Sequence, residues 1–174
     1  MKSKLIIPIL VLILAFSMST ASAVLTNTTM LSDDFESDFS LWTDNGVTNW
    51  VLNTDQFVSG VQSAYAADRN VDDLLSDDLD MSDATEINIT FSYRISGIDA
   101  NDNVAVYYYD GVDYDLIDEI GDDVEGSWLE FSQVTTDAQY FDNGFHIYFE
   151  GSSIDNGEAL WIDDVTIIKE HDLN

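Results

Sequence analysis

Residues 86–95, Glu-Ile-Asn-Ile-Thr-Phe-Ser-Tyr-Arg-Ile, decide the fold class of this chain. The odd-numbered positions from Ile87 to Ile95 are apolar or aromatic, and the positions between them are polar. A period of two residues is typical of a β-strand that buries one face and leaves the other face polar. The stretch therefore predicts a strand whose two faces meet different surroundings.

The same period recurs towards the C-terminus. Residues 104–109 alternate and are followed at once by Asp110-Gly111, a dipeptide typical of β-hairpin turns. The other candidate strands lie at residues 31–36, 50–53, 61–66, 74–79, 114–117, 128–134, 145–150 and 160–168. About ten short strands, separated by clusters of Asp, Asn, Gly and Ser, predict an all-β fold. The expected architecture is a two-sheet antiparallel jelly-roll sandwich.

The first 23 residues have the layout of a secretory signal peptide. Lys2 and Lys4 precede an apolar run from Leu5 to Phe16, and small residues end in Ala21-Ser22-Ala23. The run is about a dozen residues long, shorter than the roughly 20 that span a bilayer. A secreted or cell-surface protein is therefore expected, with an uncleaved membrane anchor as the alternative. The expected organisation is a signal peptide at 1–23, a flexible segment at 24–30, the sandwich at 31–168 and a fraying polar tail at 169–174.

The charge balance excludes several classes of partner. Of 174 residues, 34 are Asp or Glu and 5 are Lys or Arg, so the formal net charge is −29. Such a chain is repelled by nucleic acid and by anionic membrane surfaces, because phosphate contacts need clustered Lys and Arg. The absence of Cys excludes disulfides, thiolate catalysis and Cys-based zinc sites. Most of the acids are interpreted as adaptation to high salt, with specific cation sites as the alternative.

Five segments resemble a known group of secreted jelly-roll modules. Residues 49–66 contain a Ser-Gly-x-x-Ser-Ala pattern, and the closing strand at 160–167 contains Ile-Asp-Asp-Val, both common in that group. The other resembling segments are residues 31–43, 74–95 and 103–117. The group comprises MAM-like domains, cleaved-adhesin domains and carbohydrate-binding modules of the galactose-binding-like type. The resemblance implies a non-catalytic binding module, and the missing cysteines favour the prokaryotic members over MAM domains, which often carry disulfides.

The resemblance also implies a structural Ca²⁺ shared by the first and last strands. The matching positions are Asp34, Glu36, Asp163 and Asp164. A hard cation takes about six to eight oxygen ligands, which converging carboxylates supply. Alternation turns one of Asp163 and Asp164 inward, where an unpaired carboxylate is costly. The alternatives to calcium are carboxylates capped by backbone N–H groups, or a solvated edge of the sheet.

Alternation also assigns a set of aromatic and polar side chains to the face opposite the core. The predicted ligand-binding residues are Arg94, Tyr107, Tyr109, His146, Tyr148 and Glu150. If their strands are neighbours, aromatic rings lie beside Arg and His, an arrangement that suits sugars because rings stack on C–H faces while polar groups take hydroxyls. The alternative is that loops cover this face, or that Tyr is simply a good strand residue. The four tryptophans are expected in the core or partly buried near strand ends.

The sequence thus predicts a secreted, non-catalytic module that recognises carbohydrate at a cell surface or in extracellular matrix and is stabilised by structural calcium. One alternative is a surface adhesion or assembly protein that acts through protein–protein contacts. A minor alternative is a small glycan-cleaving hydrolase. Neither a G-x-S-x-G nor an H-E-x-x-H motif occurs, and carboxylate pairs arise by chance in a chain this acidic.

Overall fold

The computed structural model describes residues 24–44, 50–68, 71–98, 103–121 and 124–173. Within them the chain forms eleven strands and two short 3₁₀ helices, which confirms the all-β prediction. The strands are β1 (Leu25–Asp33), β2 (Trp42–Asp44), β3 (Val51–Asn53), β4 (Ser63–Ala67), β5 (Leu74–Ser76), β6 (Ala84–Ser96), β7 (Val104–Tyr109), β8 (Tyr114–Ile120), β9 (Leu129–Thr135), β10 (His146–Phe149) and β11 (Ala159–Asp172). The 3₁₀ helices are Ala138–Tyr140 and Gly151–Ser153. None of the helices in these ranges is long and apolar enough to cross a membrane.

The strands form two antiparallel sheets, as predicted for a jelly-roll sandwich. The six-stranded sheet has the order β3-β4-β11-β6-β9, and β1 also pairs with β11. The five-stranded sheet has the order β2-β5-β10-β7-β8. The long strand β11 pairs on one side with β6, and on the other side first with β4 and then with β1.

The core lies between the sheets and follows directly from the alternation in β6. Ile87, Ile89, Phe91 and Ile95 are buried, while their neighbours point to the outer face. The Phe91 ring stacks on Phe131 of its own sheet at 4.5 Å and meets Phe149 of the other sheet edge-on at 5.0 Å. Burying each such side chain stabilises the fold by about 1.5–3 kcal/mol. The alternating residues therefore join the two sheets into one core.

Both ends of the described chain are more ordered than the sequence predicted. The flexible segment expected at 24–30 is wrong, because Leu25–Asp33 forms strand β1. The fraying tail is also wrong for residues 169–172, which continue β11 and pair with β1 from Leu25 opposite Asp172. Each end supplies the hydrogen-bond partners for the backbone of the other. The polar composition of these segments does not reveal this pairing. The predicted signal peptide, residues 1–23, lies outside the described residues.

Candidate ligand-binding site

Four of the predicted ligand-binding residues meet on the outer face of the five-stranded sheet. Tyr107 of β7 lies directly opposite Tyr148 of β10, and Tyr109 lies opposite His146. Their neighbours along each strand, such as Tyr108 and Ile147, are buried in the core. Alternation therefore turns these four side chains to the same outer face.

The opposed rings form two parallel stacks. The rings of Tyr107 and Tyr148 lie 5.1 Å apart at an interplanar angle of 18°. The rings of Tyr109 and His146 lie 4.7 Å apart at 21°. Such pairs contribute about 0.5–1.5 kcal/mol beyond the area they bury. The stacks stiffen this surface of the sheet.

Tyr114 completes the cluster, and the sequence analysis did not include it in the site. The β7–β8 hairpin places Tyr114 opposite Tyr109, with their rings 4.9 Å apart. The ring is tilted by 66° against Tyr148 and by 64° against His146, and the side chain is 45% exposed. The Asp110-Gly111 turn is the sequence signal that would have found it, since the turn sets the register of the hairpin. Tyr107, Tyr109, Tyr114, His146 and Tyr148 are called the aromatic cluster below.

Hydrogen bonds fix the position of His146 within the aromatic cluster. Its Nδ1 lies 3.1 Å from Oδ1 of Asp78 and 3.1 Å from the carbonyl oxygen of Gly144. Both neighbours are acceptors, so Nδ1 carries the proton. With the proton on Nδ1, Nε2 accepts from the Tyr114 hydroxyl at 3.1 Å. The buried imidazole therefore connects an acidic loop to the most exposed ring of the cluster.

Carboxylates surround the tyrosines. Burial raises the pKa of Tyr148, and the hydrogen bond to Asp73 raises it further. Burial also raises the pKa of Tyr107, with additional effects from the charges of Glu150, Glu119 and Asp73. These phenols stay protonated at neutral pH; Tyr148 donates its proton to Asp73, and Tyr107 remains available as a donor. Glu150, another predicted ligand residue, lies beside the cluster, where its carboxylate also accepts from Ser153 Oγ at 3.4 Å.

A cavity of about 330 Å³ adjoins the cluster. It is lined by Leu75, Ser76, Asp77, Asp78 and His146. Leu75 of β5 lies directly opposite Tyr148, so the cavity continues the outer face of the same sheet. Ring faces and edges, phenolic donors and carboxylate acceptors are thus present together next to a recess. This combination suits a ligand that has both apolar C–H faces and hydroxyl groups.

Arg94 does not belong to this surface, although the sequence analysis placed it there. It lies on the outer face of the six-stranded sheet, opposite Trp161 of β11. Its guanidinium lies 5.9 Å from the centre of the Trp161 ring and donates a hydrogen bond to the carbonyl of Gly126. Alternation identified the correct face of β6, but β6 pairs with β9 and β11 and not with the strands of the aromatic cluster.

Three of the four predicted calcium ligands bind the loop at residues 58–62. Oε1 of Glu36 accepts from the backbone N–H groups of Val61 and Gln62 at 2.7 and 2.9 Å. Oδ2 of Asp163 accepts from those of Val58 and Ser59 at 2.7 and 3.3 Å. Oδ1 of Asp164 accepts from the Ser59 hydroxyl at 2.7 Å. The fourth, Asp34, accepts from the N–H of Glu36 at 3.2 Å.

Hydrogen bonds within the chain hold these carboxylates, which are not grouped around one point. Across the described ranges, no group of three or more His, Asp or Glu side chains is close enough to hold a metal ion. Asp163 is the buried member of the pair, with no exposed surface, and burial raises its pKa while three backbone N–H groups oppose the rise. The geometry corresponds to the alternative in which backbone N–H groups cap the carboxylates. Calcium binding stays a prediction.

The same loop explains the Ser-Gly-x-x-Ser-Ala pattern. Gly60 has φ +63°, and a Cβ at this position would overlap the carboxylate of Glu36. Ser63 is buried and donates to the carbonyl of Gln56 at 2.7 Å. Only glycine combines the left-handed backbone with room for the carboxylate. The pattern therefore serves the attachment of this loop to the first and last strands.

No known family model and no curated protein sequence matches this chain. Solved structures do match its fold. The CBM22-1 xylan-binding domain of Paenibacillus barcinonensis Xyn10C has a TM-score of 0.57 and 17% identity, over 89% of this chain and 100% of that one. The K3 cleaved adhesin domain of Lys-gingipain from Porphyromonas gingivalis has a TM-score of 0.60 and 15% identity, over 82% and 99%.

A further match is the C-terminal family 22 carbohydrate-binding module of Clostridium thermocellum Xyn10B, with a TM-score of 0.58 and 16% identity over 81% of this chain and 92% of that one. The chain spans 47% of the tandem CBM22-1–CBM22-2 structure from the Paenibacillus protein, in keeping with one module of the pair. The fold is therefore that of the jelly-roll modules to which carbohydrate-binding and cleaved-adhesin domains belong. The resemblance to MAM-like domains stays a prediction.

Proposed function

We propose that this protein is a secreted, non-catalytic carbohydrate-binding module whose aromatic cluster holds a neutral polysaccharide such as xylan. The observation that carries the proposal is the aromatic cluster itself, in which five rings from three adjacent strands lie together and one of them, His146, lines an adjoining recess. Solved structures with the same fold include xylan-binding modules. The sequence identity to them is low, so the chemistry of this chain's own residues identifies the ligand class.

The tilted ring of Tyr114 is the expected stacking platform. It is the most exposed ring of the cluster, and its plane crosses those of Tyr148 and His146. A sugar ring lying on Tyr114 has the phenol of Tyr107 nearby as a donor, and the phenol of Tyr148, which already donates to Asp73, as an acceptor. The carboxylates of Asp73 and Asp78 are the expected acceptors for sugar hydroxyls, because ionised carboxylates form the stronger, charge-assisted hydrogen bonds.

The electrostatics favour an uncharged ligand. Asp73, Asp78, Glu119 and Glu150 contribute negative charge around the tyrosines. The two cationic side chains that the structure describes lie elsewhere: Arg94 is on the other sheet, and Lys169 pairs with Asp83 at 2.5 Å. A glycan rich in uronic acid or sulfate meets only repulsion at this surface. Neutral chains are therefore the proposed ligand class.

A role in surface adhesion is the second candidate function. It is supported by the likeness to a cleaved adhesin domain and by the exposed apolar side chains of Phe57, Val58 and Val61 in the loop at residues 57–61. Such a role predicts concentration-dependent association and no affinity for sugars. A glycan-cleaving activity predicts turnover of the bound oligosaccharide, which the same assay detects by product analysis.

The proposal is tested by titrating xylohexaose into the purified chain by calorimetry. Tyr114→Ala is expected to weaken binding about tenfold, which corresponds to about 1.4 kcal/mol. Val112→Ala, at the exposed tip of the same hairpin, is the matched control and is expected to leave the affinity unchanged. Equal binding by wild type and Tyr114→Ala, or no binding by the wild type, contradicts the proposed site.

A further inference from the structure

A second row of aromatic and polar side chains crosses the outer face of the six-stranded sheet. Tyr65 of β4 lies opposite Val51 of β3 on one side and opposite Trp161 of β11 on the other. Trp161 in turn lies opposite Arg94 of β6. The four side chains therefore form a line across four neighbouring strands, about 14 Å long at the usual strand spacing. This line is called the outer row below.

The outer row is packed but not sealed. The rings of Tyr65 and Trp161 lie 4.9 Å apart, and Nε1 of Trp161 donates to Oδ1 of Asn53 at 3.3 Å. Val51 is 49% exposed, and the other three members of the row are partly exposed. Aromatic surface is thus in contact with solvent on the face opposite to the core.

Arg94 stands out among the charged residues. The chain carries a net charge of −29, yet Arg94 forms no ion pair within the described part of the chain. It lies against Trp161, donates to the Gly126 carbonyl, and its buried Nε has no hydrogen-bond partner among the described residues. A guanidinium held on an aromatic ring keeps donors in a fixed fork, ready for oxygen acceptors.

A cavity of about 290 Å³ lies near the outer row, and its lining contains no member of the row. It is lined by Val58, Thr90, Phe91, Ser92, Glu130 and Asp164. Ser92 precedes Arg94 by two residues on β6, so both point to the same face. The volume is at the lower end of the range typical of small-molecule sites. Hydroxyl and carboxylate oxygens therefore border a recess next to the exposed aromatic surface.

A β-bulge turns Asp164 towards this cavity. The pairing of β11 with β6 shifts register between Asp163 and Thr166, and Asp164 has φ +51°. A residue other than glycine in this left-handed region is uncommon and costs free energy. The bulge leaves Asp163 buried under the loop at 58–62 and places Asp164 in the cavity wall, where Ser59 Oγ donates to it. Bulges re-aim side chains in this way beside binding sites.

We propose that the outer row and this cavity form a second saccharide-binding site, which takes a neutral sugar. The sugar stacks against Trp161 and Tyr65, its hydroxyls donate to Asp164 and Glu130, and Arg94 and Ser92 donate to its oxygens. Two carboxylates at the cavity disfavour uronic and sulfated sugars, and they are too few for a metal site of the usual oxygen-ligand count. Because the two sites lie on opposite sheets, one chain links two glycan strands.

The test is the stoichiometry of xylohexaose and cellohexaose binding to the full chain, measured by calorimetry and native mass spectrometry. Two oligosaccharides per chain are expected for the wild type. The double variant Glu130→Ala/Asp164→Asn is expected to lose one of them and to keep the other. Asn tolerates the left-handed backbone, and Glu130 is exposed, so the fold is retained. Glu86→Ala, at the far end of β6 on the same face, is the matched control that keeps both.

The outcomes separate this site from the aromatic cluster. One oligosaccharide per wild-type chain, bound more weakly by Tyr114→Ala and unchanged in the double variant, overturns the second site and supports the proposed function. One oligosaccharide lost in the double variant and kept in Tyr114→Ala supports the second site and contradicts the aromatic cluster. Binding of neither probe by the wild type contradicts both.

Discussion

The hydroxyl of Tyr114 lies 3.1 Å from Nε2 of His146, and Nδ1 of the same imidazole lies 3.1 Å from Oδ1 of Asp78. This chain of contacts joins an exposed ring on the edge strand β8 to a loop at the opposite side of the sheet. His146 is only 8% exposed, so its two neighbours set the position of its ring. The orientation of the proposed stacking platform therefore depends on a buried histidine.

Tyr114→Phe tests the part that the hydroxyl plays. The ring remains, but Nε2 of His146 loses its partner, and we expect the free energy of unfolding to fall by about 1 kcal/mol. The affinity for xylohexaose is expected to fall less than in Tyr114→Ala, because the stacking surface is kept. Chemical denaturation and calorimetry measure the two quantities. A larger loss of affinity in Tyr114→Phe than in Tyr114→Ala contradicts stacking as the main contribution.

Gly60→Ala is expected to destabilise the fold for two separable reasons. Its left-handed backbone costs about 1 kcal/mol with a Cβ, and the Cβ also overlaps the carboxylate of Glu36. Gly157→Ala is the matched control, because Gly157 also has positive φ but has open space around a Cβ. We expect Gly60→Ala to cost more than Gly157→Ala.

The double variant Glu36→Ala/Gly60→Ala completes this comparison. Removing the carboxylate leaves the N–H groups of Val61 and Gln62 without their acceptor, but it also removes the overlap. The losses in free energy of unfolding of the two single variants are therefore expected to sum to more than the loss in the double variant. Denaturant unfolding measures all three. Strict additivity shows that Glu36 does not fill the space at Gly60.

Thermal unfolding with EDTA and with Ca²⁺, both at high ionic strength, tests how the acidic ends are held. Glu36 and Asp163 already accept two or more backbone hydrogen bonds each, so we expect the same midpoint in both conditions. High salt keeps general screening constant, so any difference reports specific binding to the folded state. A clear rise with Ca²⁺ that is lost in Asp163→Ala restores the calcium site predicted from the resemblance.

Asp163 gives the stability of the domain a characteristic pH dependence. Burial raises the pKa of its carboxyl above the ordinary value of 3.8, so the folded state holds this proton more tightly than the unfolded state. The contribution of Asp163 to stability is therefore present below about pH 3.8 and is lost as the pH rises through the folded pKa. Asp163→Asn removes this slope, because an amide does not titrate in this range.

Denaturant unfolding of wild type and Asp163→Asn at pH values from about 3 to 7, where carboxyl groups titrate, measures the free energy of unfolding of both proteins. The wild type is expected to lose stability relative to the variant as the pH rises. Asp38→Asn is a control for which the expected change of stability with pH has the opposite sign. Hydrogen bonds from Ser40 lower the pKa of that exposed carboxyl. A parallel pH dependence of wild type and Asp163→Asn contradicts the raised pKa.

Local alternation was sufficient to predict the strands and one face of the site. The period in residues 86–95 is preserved in β6, and the alternation of 104–109 and 145–150 placed Tyr107, Tyr109, His146 and Tyr148 on one surface. The assignment of a side chain to one face of a strand depends only on its neighbours along that strand. These assignments are therefore correct. The order of strands in the sheets depends on pairings between distant segments, and Arg94 was therefore assigned to the wrong sheet.

The bulge in β11 shows a second limit of sequence reasoning. Strict alternation gives Trp161 and Val165 the same face, but Val165 is buried in the core while Trp161 lies on the outer face. The extra residue at Asp164 reverses the alternation between them. No composition signal marks this point, since Asp-Asp also suits a regular strand end.

An NMR titration of the aromatic ring signals with xylohexaose tests most directly whether the aromatic cluster binds a glycan. We expect saturable shifts in the ring resonances of Tyr107, Tyr114, Tyr148 and His146. Single substitutions assign these resonances. The shifts should be absent with an equally long, fully charged uronic acid oligomer. Unchanged ring signals for these four residues, under conditions in which calorimetry detects binding, contradict the aromatic cluster as the site where this protein holds a glycan.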